Sequence, residues 1–178
     1  MQGKMLSLME KETKVSMPGT INGIKIKRLS IEDFNIKLKE IMEVYHNAYI
    51  EMPIYAYQKR HDIKGYLKWL YKTDPEGFFV ATLNNKIVGF IAVCQNWWDY
   101  GLSEYIGEIH EWAVEKDYQK CGIGSLLFKT ATNVLKKRHN AIGLWVGDKN
   151  EKAISFYKKK GFQISGKMGK WLRMRKIF

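Results

Sequence analysis

The sequence predicts a mixed α/β domain with helices on both faces of its sheet. Predicted strands and helices alternate along the chain, which is typical of a sheet covered by helices. The length of 178 residues fits one domain better than two, and a hydrophobic fraction of 46% suffices for a substantial core. We expect residues 21–178 to form this single domain. Residues 1–20 are expected to be an N-terminal extension, because Pro18 and Gly19 break a short stretch of helical spacing.

The first predicted elements are a strand and two helices. Residues 24–29 alternate apolar and basic side chains, as strands do. Ser30, with Asp33 three residues later, is a helix N-cap signal. Apolar side chains at helical spacing extend that helix to about His46, and a second pattern of this kind predicts a helix over residues 61–71.

The middle of the chain predicts a hairpin and a further strand. Residues 78–83 and 87–93 are predicted strands, and residues 84–86 make a tight connection that favours antiparallel pairing. Residues 94–104 concentrate aromatic and polar side chains, and we predict a loop there. Residues 105–114 are predicted to form the next strand.

The last part of the chain completes the α/β order. A helix is predicted over residues 124–137, a short strand over residues 144–146 and another helix over residues 151–160. Residues 162–165 and 171–177 are predicted to close the domain as a strand hairpin, which offers a surface for a homodimer contact.

The chain is strongly basic. It has 30 Lys and Arg residues against 18 acidic residues, a formal charge of +12. Such a field favours anionic partners, among them nucleic acid, ribosomes, acidic proteins and phosphorylated cofactors. Charge alone does not choose among these partners, and a solvated basic surface with no specific ligand is an equal alternative.

Cysteine and hydropathy patterns set the expected compartment. Cys94 and Cys121 are far apart, which argues against a disulfide framework or a zinc site and favours a reduced, cytoplasmic location. The four histidines have no metal-ligand spacing, so we expect no metal. No apolar run of about 18 residues and no signal-peptide pattern is present, so we expect no membrane partner.

A glycine-rich segment, Gln-Lys-Cys-Gly-Ile-Gly-Ser at residues 119–125, follows a predicted strand and opens a predicted helix. Glycines at such a turn permit close backbone approach, and the free N–H groups of the first helical turn favour a phosphate. The spacing matches neither a Walker P-loop nor a full Rossmann fingerprint. An ordinary helix-entry turn is the alternative interpretation.

Two motifs together resemble the GNAT superfamily of N-acetyltransferases. Gln119-x-x-Gly122-x-Gly124 is similar to the Q/R-x-x-G-x-G/A signature of that family. Residues 150–162, with the pattern Asn-x-x-Ala-x-x-Phe-Tyr-x-x-x-Gly-Phe, are similar to its second hallmark. The resemblance covers residues 108–162, and the weaker order of elements extends it to about residues 24–177.

The resemblance implies an α/β fold with a mixed, mostly antiparallel sheet of six to seven strands, splayed between the fourth and fifth strands. It implies transfer of acetyl from acetyl-CoA to a primary amine by direct attack in a ternary complex, with no metal. Asn150 has a second interpretation as a helix N-cap. The residues that the resemblance assigns to the cofactor are Trp112, Ala113, Val114, Gln119, Lys120, Cys121, Gly122, Ile123, Gly124, Ser125 and Asn150.

The resemblance also implies catalytic roles. Tyr157 matches the general acid that protonates the departing CoA thiolate, with a core aromatic as the alternative. Strand alternation predicts that Glu108, His110 and Trp112 share one face and that Glu111 lies on the other. We expect Glu108 to be the base, with His110 as helper, or both to be structural while the amine arrives deprotonated. A covalent role for Cys121 is not expected, because the sequence shows no base for it.

The amine acceptor is assigned more weakly. Aromatic and acidic side chains before the reactive strand and between the first two helices suit a cationic amine, although packing is an alternative role. These residues are Glu51, Tyr55, Trp97, Trp98 and Asp99. A catalytically inactive CoA-binding module is a rival function. Nucleic acid is not expected as a partner, because no helix-turn-helix, RRM signature or zinc finger is present.

Overall fold

The computed structural model describes residues 23–178, so the predicted extension over residues 1–20 lies outside the described residues. Four α-helices are described: α1 Ile31–Ala48, α2 Arg60–Thr73, α3 Ile123–Leu135 and α4 Glu151–Lys159. The strands are β1 Lys25–Arg28, β2 Phe78–Leu83, β3 Lys86–Asp99, β4 Glu104–Val114, β5 Ala141–Gly147, β6 Gln163–Met168 and β7 Trp171–Ile177. The predicted Ser30 cap is confirmed, since the Ser30 hydroxyl accepts a hydrogen bond from the Asp33 N–H at 3.1 Å.

One seven-stranded sheet holds the domain together, in the order β1-β2-β3-β4-β5-β7-β6. Every neighbouring pair is antiparallel except β4 and β5, which are parallel. That parallel pairing covers only Gly107 to Ile109 against Ile142 to Leu144. Beyond it the two strands separate, which confirms the predicted splay between the fourth and fifth strands. The remainder of β4 therefore presents an open edge.

Helices cover both faces of this sheet, as predicted. On one face α1 and α2 pack over the sheet through buried side chains that include Phe34, Ile41 and Leu67. On the other face α3 packs over the sheet through side chains that include Leu127 and Leu135, and α4 packs there through Tyr157. None of the four α-helices within residues 23–178 combines the length and apolar character that a membrane span requires.

The third strand is longer than its sequence pattern predicted. It continues to Asp99, so the predicted loop over residues 94–104 is wrong in its first half. The pairs Trp97 with Ile106 and Trp98 with Tyr105 extend the β3–β4 ladder through this segment. Aromatic cross-strand pairs stabilise such a ribbon, and only a short tip remains as the turn.

A β-bulge interrupts β4 at the centre of the sheet. The adjacent residues Ala92 and Val93 pair with Glu111 and Ile109, so His110 is the extra residue. An extra residue shifts the side chains on either side of it by one position and reverses the alternation beyond it.

The bulge makes the predicted facing of β4 side chains wrong. Glu108 lies on the α1 and α2 face, opposite Ile109, which packs in the core under α3. Glu111 also lies on the α1 and α2 face, because it accepts hydrogen bonds from side chains at the end of α1 and in α2. Trp112 lies on the other face, against the aromatic side chains of α3 and α4. Glu111, which alternation had separated from Glu108, is thus on the same face.

Candidate active site

A large cleft opens where β4 and β5 separate. It is part of a continuous cavity of about 2370 Å³ that also extends along α3 to β1. Side chains from β4, the glycine-rich segment, α4 and the α1–α2 connection line it.

The open edge of β4 directs backbone groups into this cleft. Glu115 donates its N–H to the Val88 carbonyl at 2.9 Å, which sets the hydrogen-bonding parity of the β3–β4 ladder. Val114, opposite Gly89, therefore directs its own N–H and C=O away from β3. The Val114 carbonyl accepts a hydrogen bond from the Gln119 side chain at 3.1 Å. The edge can pair with an extended ligand that carries amide groups, as an added strand does.

The glycine-rich segment presents backbone donors at the start of α3. Lys120 and Gly122 have positive φ angles of 62° and 82°, which turn the chain into the helix. Within the described part of the chain, no N–H of residues 121–125 donates to another protein group, and the Leu126 N–H is the first to bond, to the Gly122 carbonyl. Unpaired N–H groups at a helix N-terminus form an anion site, so this geometry suits a pyrophosphate.

Gly124 has no room for a side chain, because the Trp112 ring lies against it. A Cβ atom at Gly124 would lie 2.8 Å from Cζ2 of Trp112, closer than atoms normally approach. The buried Trp112 Nε1 has no hydrogen-bond partner among the described residues, so it is a free donor beneath the segment. The Trp112 ring also contacts Phe156 and Tyr157, with centroids 4.9 and 5.9 Å away, and thereby positions α4 beside the cleft.

Tyr157 reaches the cleft from α4. Its side chain is 7% exposed and is among the lining residues. Burial, and then the negative charge of Glu111, raises the pKa of the Tyr157 phenol above its ordinary value. The phenol is protonated at neutral pH and is available as a proton donor.

Glu111 lies at the floor of the cleft on β4. Its carboxylate accepts hydrogen bonds from the Tyr49 hydroxyl at 2.8 Å, the Trp112 N–H at 3.0 Å and the Tyr66 hydroxyl at 3.2 Å. Burial raises the pKa of Glu111, and these hydrogen bonds oppose that rise. A buried carboxylate with a raised pKa beside a cleft is well placed to exchange protons. Side-chain alternation along the strand had predicted that Glu111 lies on the opposite face, because the sequence pattern does not show the bulge.

His110 lines the same cleft. Its ring lies between Trp97 and Trp69, with centroids 4.6 and 5.2 Å away. Nε2 is buried and has no partner among the described residues. Burial, and then the charge of Arg173, lowers the pKa of His110 to about 4. The imidazole is therefore neutral near pH 7 and has little basicity of its own.

The family to which the chain belongs is shown by its similarity to known proteins. A sequence profile of the acetyltransferase (GNAT) family matches residues 38–162. The chain belongs to the GNAT acetyltransferase family. The resemblance and the fold class predicted from the two motifs are thereby confirmed.

Relatives of this GNAT protein agree with that assignment. An uncharacterised N-acetyltransferase of Methanocaldococcus jannaschii is 41% identical over 140 residues, which cover 78% of this chain and 62% of that protein. The match therefore spans less than two thirds of that relative's own length. A crystal structure from Pyrococcus horikoshii has a TM-score of 0.81 at 39% identity, covering 87% of this chain and 98% of that chain.

A more distant solved structure shows the same fold. The PaiA N-acetyltransferase of Thermoplasma acidophilum, crystallised in complex with coenzyme A, has a TM-score of 0.64 at 22% identity. That similarity covers 88% of this chain and 99% of the other. The overall fold is thus shared with an N-acetyltransferase of low sequence identity.

In this GNAT protein Glu108 and Asp99 are held in a buried ion-pair network, not in the cleft. Arg173 of β7 bonds both oxygens of Glu108, with the Nη2 to Oε2 distance at 2.8 Å, and donates to Asp99 at 2.6 Å. Arg175 bonds Asp99 at 2.7 Å. The two carboxylates are matched by two guanidinium groups, and neither carboxylate lines the cleft. Glu108, predicted as the base, and Asp99, predicted to bind the amine, are therefore both directed to arginine side chains of β7.

Among the remaining acceptor predictions, Tyr55 is the one that lines the cleft. Its hydroxyl donates to Asp148 at 2.8 Å and accepts from the Lys149 N–H at 2.9 Å, which joins the α1–α2 connection to the β5–α4 loop. Glu51 instead pairs with Lys116 on the surface at 3.0 Å. Trp97 packs on His110 and Trp98 lies in an exposed aromatic cluster, so these three predictions do not match the cleft lining.

The predicted cofactor residues of this GNAT protein are brought together, but their side chains differ in role. Ala113 and Ile123 are buried in the two cores, so only their backbones are available to a ligand. The Asn150 side chain accepts a hydrogen bond from the Ala153 N–H at 3.2 Å, which is the N-cap alternative. Asn150 also lines the cleft beside α4. The others lining it are Trp112, Val114, Gln119, Lys120, Cys121, Gly122, Ile123, Gly124 and Ser125.

Proposed function

We propose that this protein transfers an acetyl group from acetyl-CoA to a primary amine by direct attack within a ternary complex. The observation that carries the proposal is that three features line the same cleft. They are the open edge of β4, the unpaired N–H groups of residues 121–125, and the side chains of Tyr157 and Glu111. A cofactor held along the first two features would bring its thioester to the last two.

The cofactor cradle is built mostly from main-chain atoms. The N–H groups of residues 121–125 would hold the pyrophosphate at the positive end of α3, with the Lys120 ammonium nearby. The Val114 backbone and the free Nε1 of Trp112 would satisfy amide groups of the pantetheine arm. The bound cofactor supplies a thioester carbonyl that an amine nitrogen attacks while the carbon–sulfur bond breaks.

The protons move through Glu111 and Tyr157. A primary amine is cationic at neutral pH and must lose a proton before its lone pair can attack. We assign this proton to Glu111, directly or through one water, since Glu108 is neutralised by Arg173. The Tyr157 hydroxyl then donates its proton to the departing thiolate sulfur. General acid and base groups of this kind typically contribute about 10² to 10⁴ in rate.

The acceptor enters beside the aromatic wall of the α1–α2 connection. Tyr55, Tyr57 and Tyr66 line this part of the cleft, and the rings of Tyr57 and Tyr66 are 5.2 Å apart. Aromatic faces attract ammonium groups, and the carboxylate of Glu111 adds a negative charge at the floor. This wall therefore suits a cationic amine before its deprotonation.

The experiment is a screen of amines with acetyl-CoA that reads the free thiol released. It includes peptides with free N-termini, lysine peptides, polyamines, amino acids and aminoglycosides. Tyr157→Phe and Glu111→Gln should abolish most of the signal, whereas the matched control Tyr71→Phe should retain it, because Tyr71 bonds the Leu29 carbonyl outside the cleft. Coenzyme A binding with no acetylation of any amine would support the inactive module instead.

A further inference from the structure

The outer face of α2 carries a row of four cations. Arg60, Lys64, Lys68 and Lys72 recur every fourth residue, and all four are exposed. Residues four apart lie on the same side of a helix and are spaced by about 6 Å along its axis. We call these four residues the cationic row.

The charge of this row is not compensated within the described part of the chain. No ion pair of residues 23–178 includes any of the four. Asp62 is the one carboxylate within α2, and it pairs with His61 at 3.0 Å. Glu76, just beyond the helix, pairs with Arg28 at 2.8 Å. The row is thus an exposed line of positive charge rather than part of a salt-bridge network.

An exposed aromatic ring lies beside the row. Trp69 is 43% exposed and is stacked on Tyr66, with ring centroids 5.9 Å apart, which fixes its plane. Gly65 lies one turn before Trp69, and a Cβ atom added there would meet no atom within 4 Å. The helix surface is therefore bare beside the ring, with room for a second planar group.

A shallow hollow continues the same surface toward α1. Lys68 and Lys72 of the cationic row line it, together with Phe34, Tyr71 and Pro75. Its surface is thus apolar and partly aromatic, and two cations stand beside it. A ligand that fits this surface has regularly spaced negative charges and flat apolar groups between them.

From this arrangement we propose that the outer face of α2 binds single-stranded nucleic acid. Phosphates would contact the cationic row, and an unpaired base would stack beside Trp69 over Gly65. The sequence-based expectation of no nucleic-acid partner came from the absence of modules that read duplexes or base sequence. A cationic helix face with an exposed ring needs none of those modules, because phosphate attraction and stacking are independent of sequence.

The cationic row is separate from the acetyl-transfer cleft, whereas Trp69 packs on Tyr66 and His110 at the edge of that cleft. None of the four cations lines the cleft. Loss of nucleic-acid binding should therefore leave coenzyme A affinity unchanged, and failure of this proposal is distinguishable from failure of the proposed transferase activity.

The test is fluorescence anisotropy with labelled single-stranded oligonucleotides, oligo(U) and oligo(dT), of about 16 nucleotides. Salt is varied from about 50 to 200 mM, and four phosphate contacts on a single strand predict a slope of about −3 in log K against log salt. The variant Arg60→Gln/Lys64→Gln/Lys68→Gln/Lys72→Gln should bind at least about tenfold more weakly and lose most of that slope.

A matched variant removes four exposed cations from the opposite face of the sheet. Lys137→Gln/Arg138→Gln/Lys158→Gln/Lys159→Gln has the same net charge as the first variant, and these side chains are also exposed. It should retain most of the affinity. An equal loss in both variants would show that binding is diffuse and would overturn the proposal.

A second, uncharged variant tests the stacking surface. Gly65→Gln fills the bare helix surface beside Trp69, keeps every charge and improves helix propensity, so folding is not at risk. It should weaken binding about threefold to tenfold, as partial loss of one stacked base would, without changing the salt slope. Unchanged affinity in Gly65→Gln and in the four-cation variant would overturn the proposal. So would binding of polyglutamate or anionic vesicles in place of the oligonucleotides.

Discussion

The Tyr49 hydroxyl donates a 2.8 Å hydrogen bond to the Glu111 carboxylate at the floor of the cleft. This contact joins the end of α1 to the strand that the bulge at His110 has turned over. It fixes a buried carboxylate at the floor of the cleft that Tyr157 also lines. The proposed proton transfer depends on this placement.

Replacement of Glu111 by Gln should lower kcat/KM by about 10² to 10⁴, because the proposed proton acceptor is lost. Glu115→Gln is the matched control, since Glu115 is a half-buried carboxylate that bonds Asn47 outside the cleft. Steady-state kinetics of both variants with one amine acceptor make the measurement. Equal activity of Glu111→Gln and the wild-type enzyme would exclude Glu111 as the base.

The dependence of kcat/KM on pH should reflect the ionisation of Glu111. Burial raises the pKa of Glu111, so its basic form is lost as the pH falls through that raised value. As the pH is lowered, kcat/KM of the wild-type enzyme should therefore fall with a midpoint above about pH 4.3, the ordinary pKa of glutamate. His110→Gln should leave this fall in place, because burial already lowers the pKa of His110 to about 4. A fall that disappears in His110→Gln would assign the proton transfer to the histidine.

Tyr157→Phe should lower kcat by about 10² or more, because the thiolate would leave without a proton donor. Binding of coenzyme A should be retained, since the ring still packs against Trp112 and Phe162. Calorimetry measures the affinity and single-turnover kinetics measure the rate. A loss of affinity with an unchanged rate would mean that the phenol binds the cofactor instead.

Gly124→Val should weaken coenzyme A binding about tenfold or more, which corresponds to about 1.4 kcal/mol. The new side chain would collide with the Trp112 ring, because even a Cβ atom lies 2.8 Å from its Cζ2. The segment would move and displace its N–H groups. Gly65→Ala is the control, because that helical glycine has open space around it. Wild-type affinity in Gly124→Val would argue against a role for this segment.

Arg173→Met should lower the free energy of unfolding by about 3–5 kcal/mol, since the buried Glu108 carboxylate would lose its partner. Asp99 is also almost fully buried, but it keeps the Arg175 guanidinium. The double variant Arg173→Met/Glu108→Gln should recover much of that loss, because the unpaired charge is removed with the cation. Urea denaturation measures both. A stable Arg173→Met protein without activity would instead return Glu108 and Arg173 to the catalytic site.

Local sequence signals predicted much of this molecule. The glycine-rich segment, the Asn-to-Phe pattern over residues 150–162 and the Ser30 cap each depend on a few neighbouring residues, and each lies where the pattern placed it. The mixed, mostly antiparallel sheet with its splay between the fourth and fifth strands followed from the family resemblance carried by two of these motifs. Such signals are strong because the backbone conformation that they require is local.

The parts that were wrong depend on contacts between distant residues. The bulge at His110 is a mismatch of register between two strands, and no residue in β4 marks it. The bulge brings Glu111 to the same face as Glu108, and Glu108 lies where β4 still pairs with β5. Asp99 and Glu108 find Arg173 only because β7 returns to the sheet 65 residues after Glu108. A carboxylate in the sequence does not reveal whether its partner is a distant arginine or a substrate.

The central claim is that the N–H groups at the start of α3 hold the cofactor pyrophosphate next to the open edge of β4. The most direct measurement is a titration of ¹⁵N-labelled protein with coenzyme A, followed by amide chemical shifts. Saturable shifts of the amides of residues 121–125 and of Val114 are expected, with little change at the far ends of α3 and α4. Unmoved amides in that segment at millimolar coenzyme A would contradict the claim.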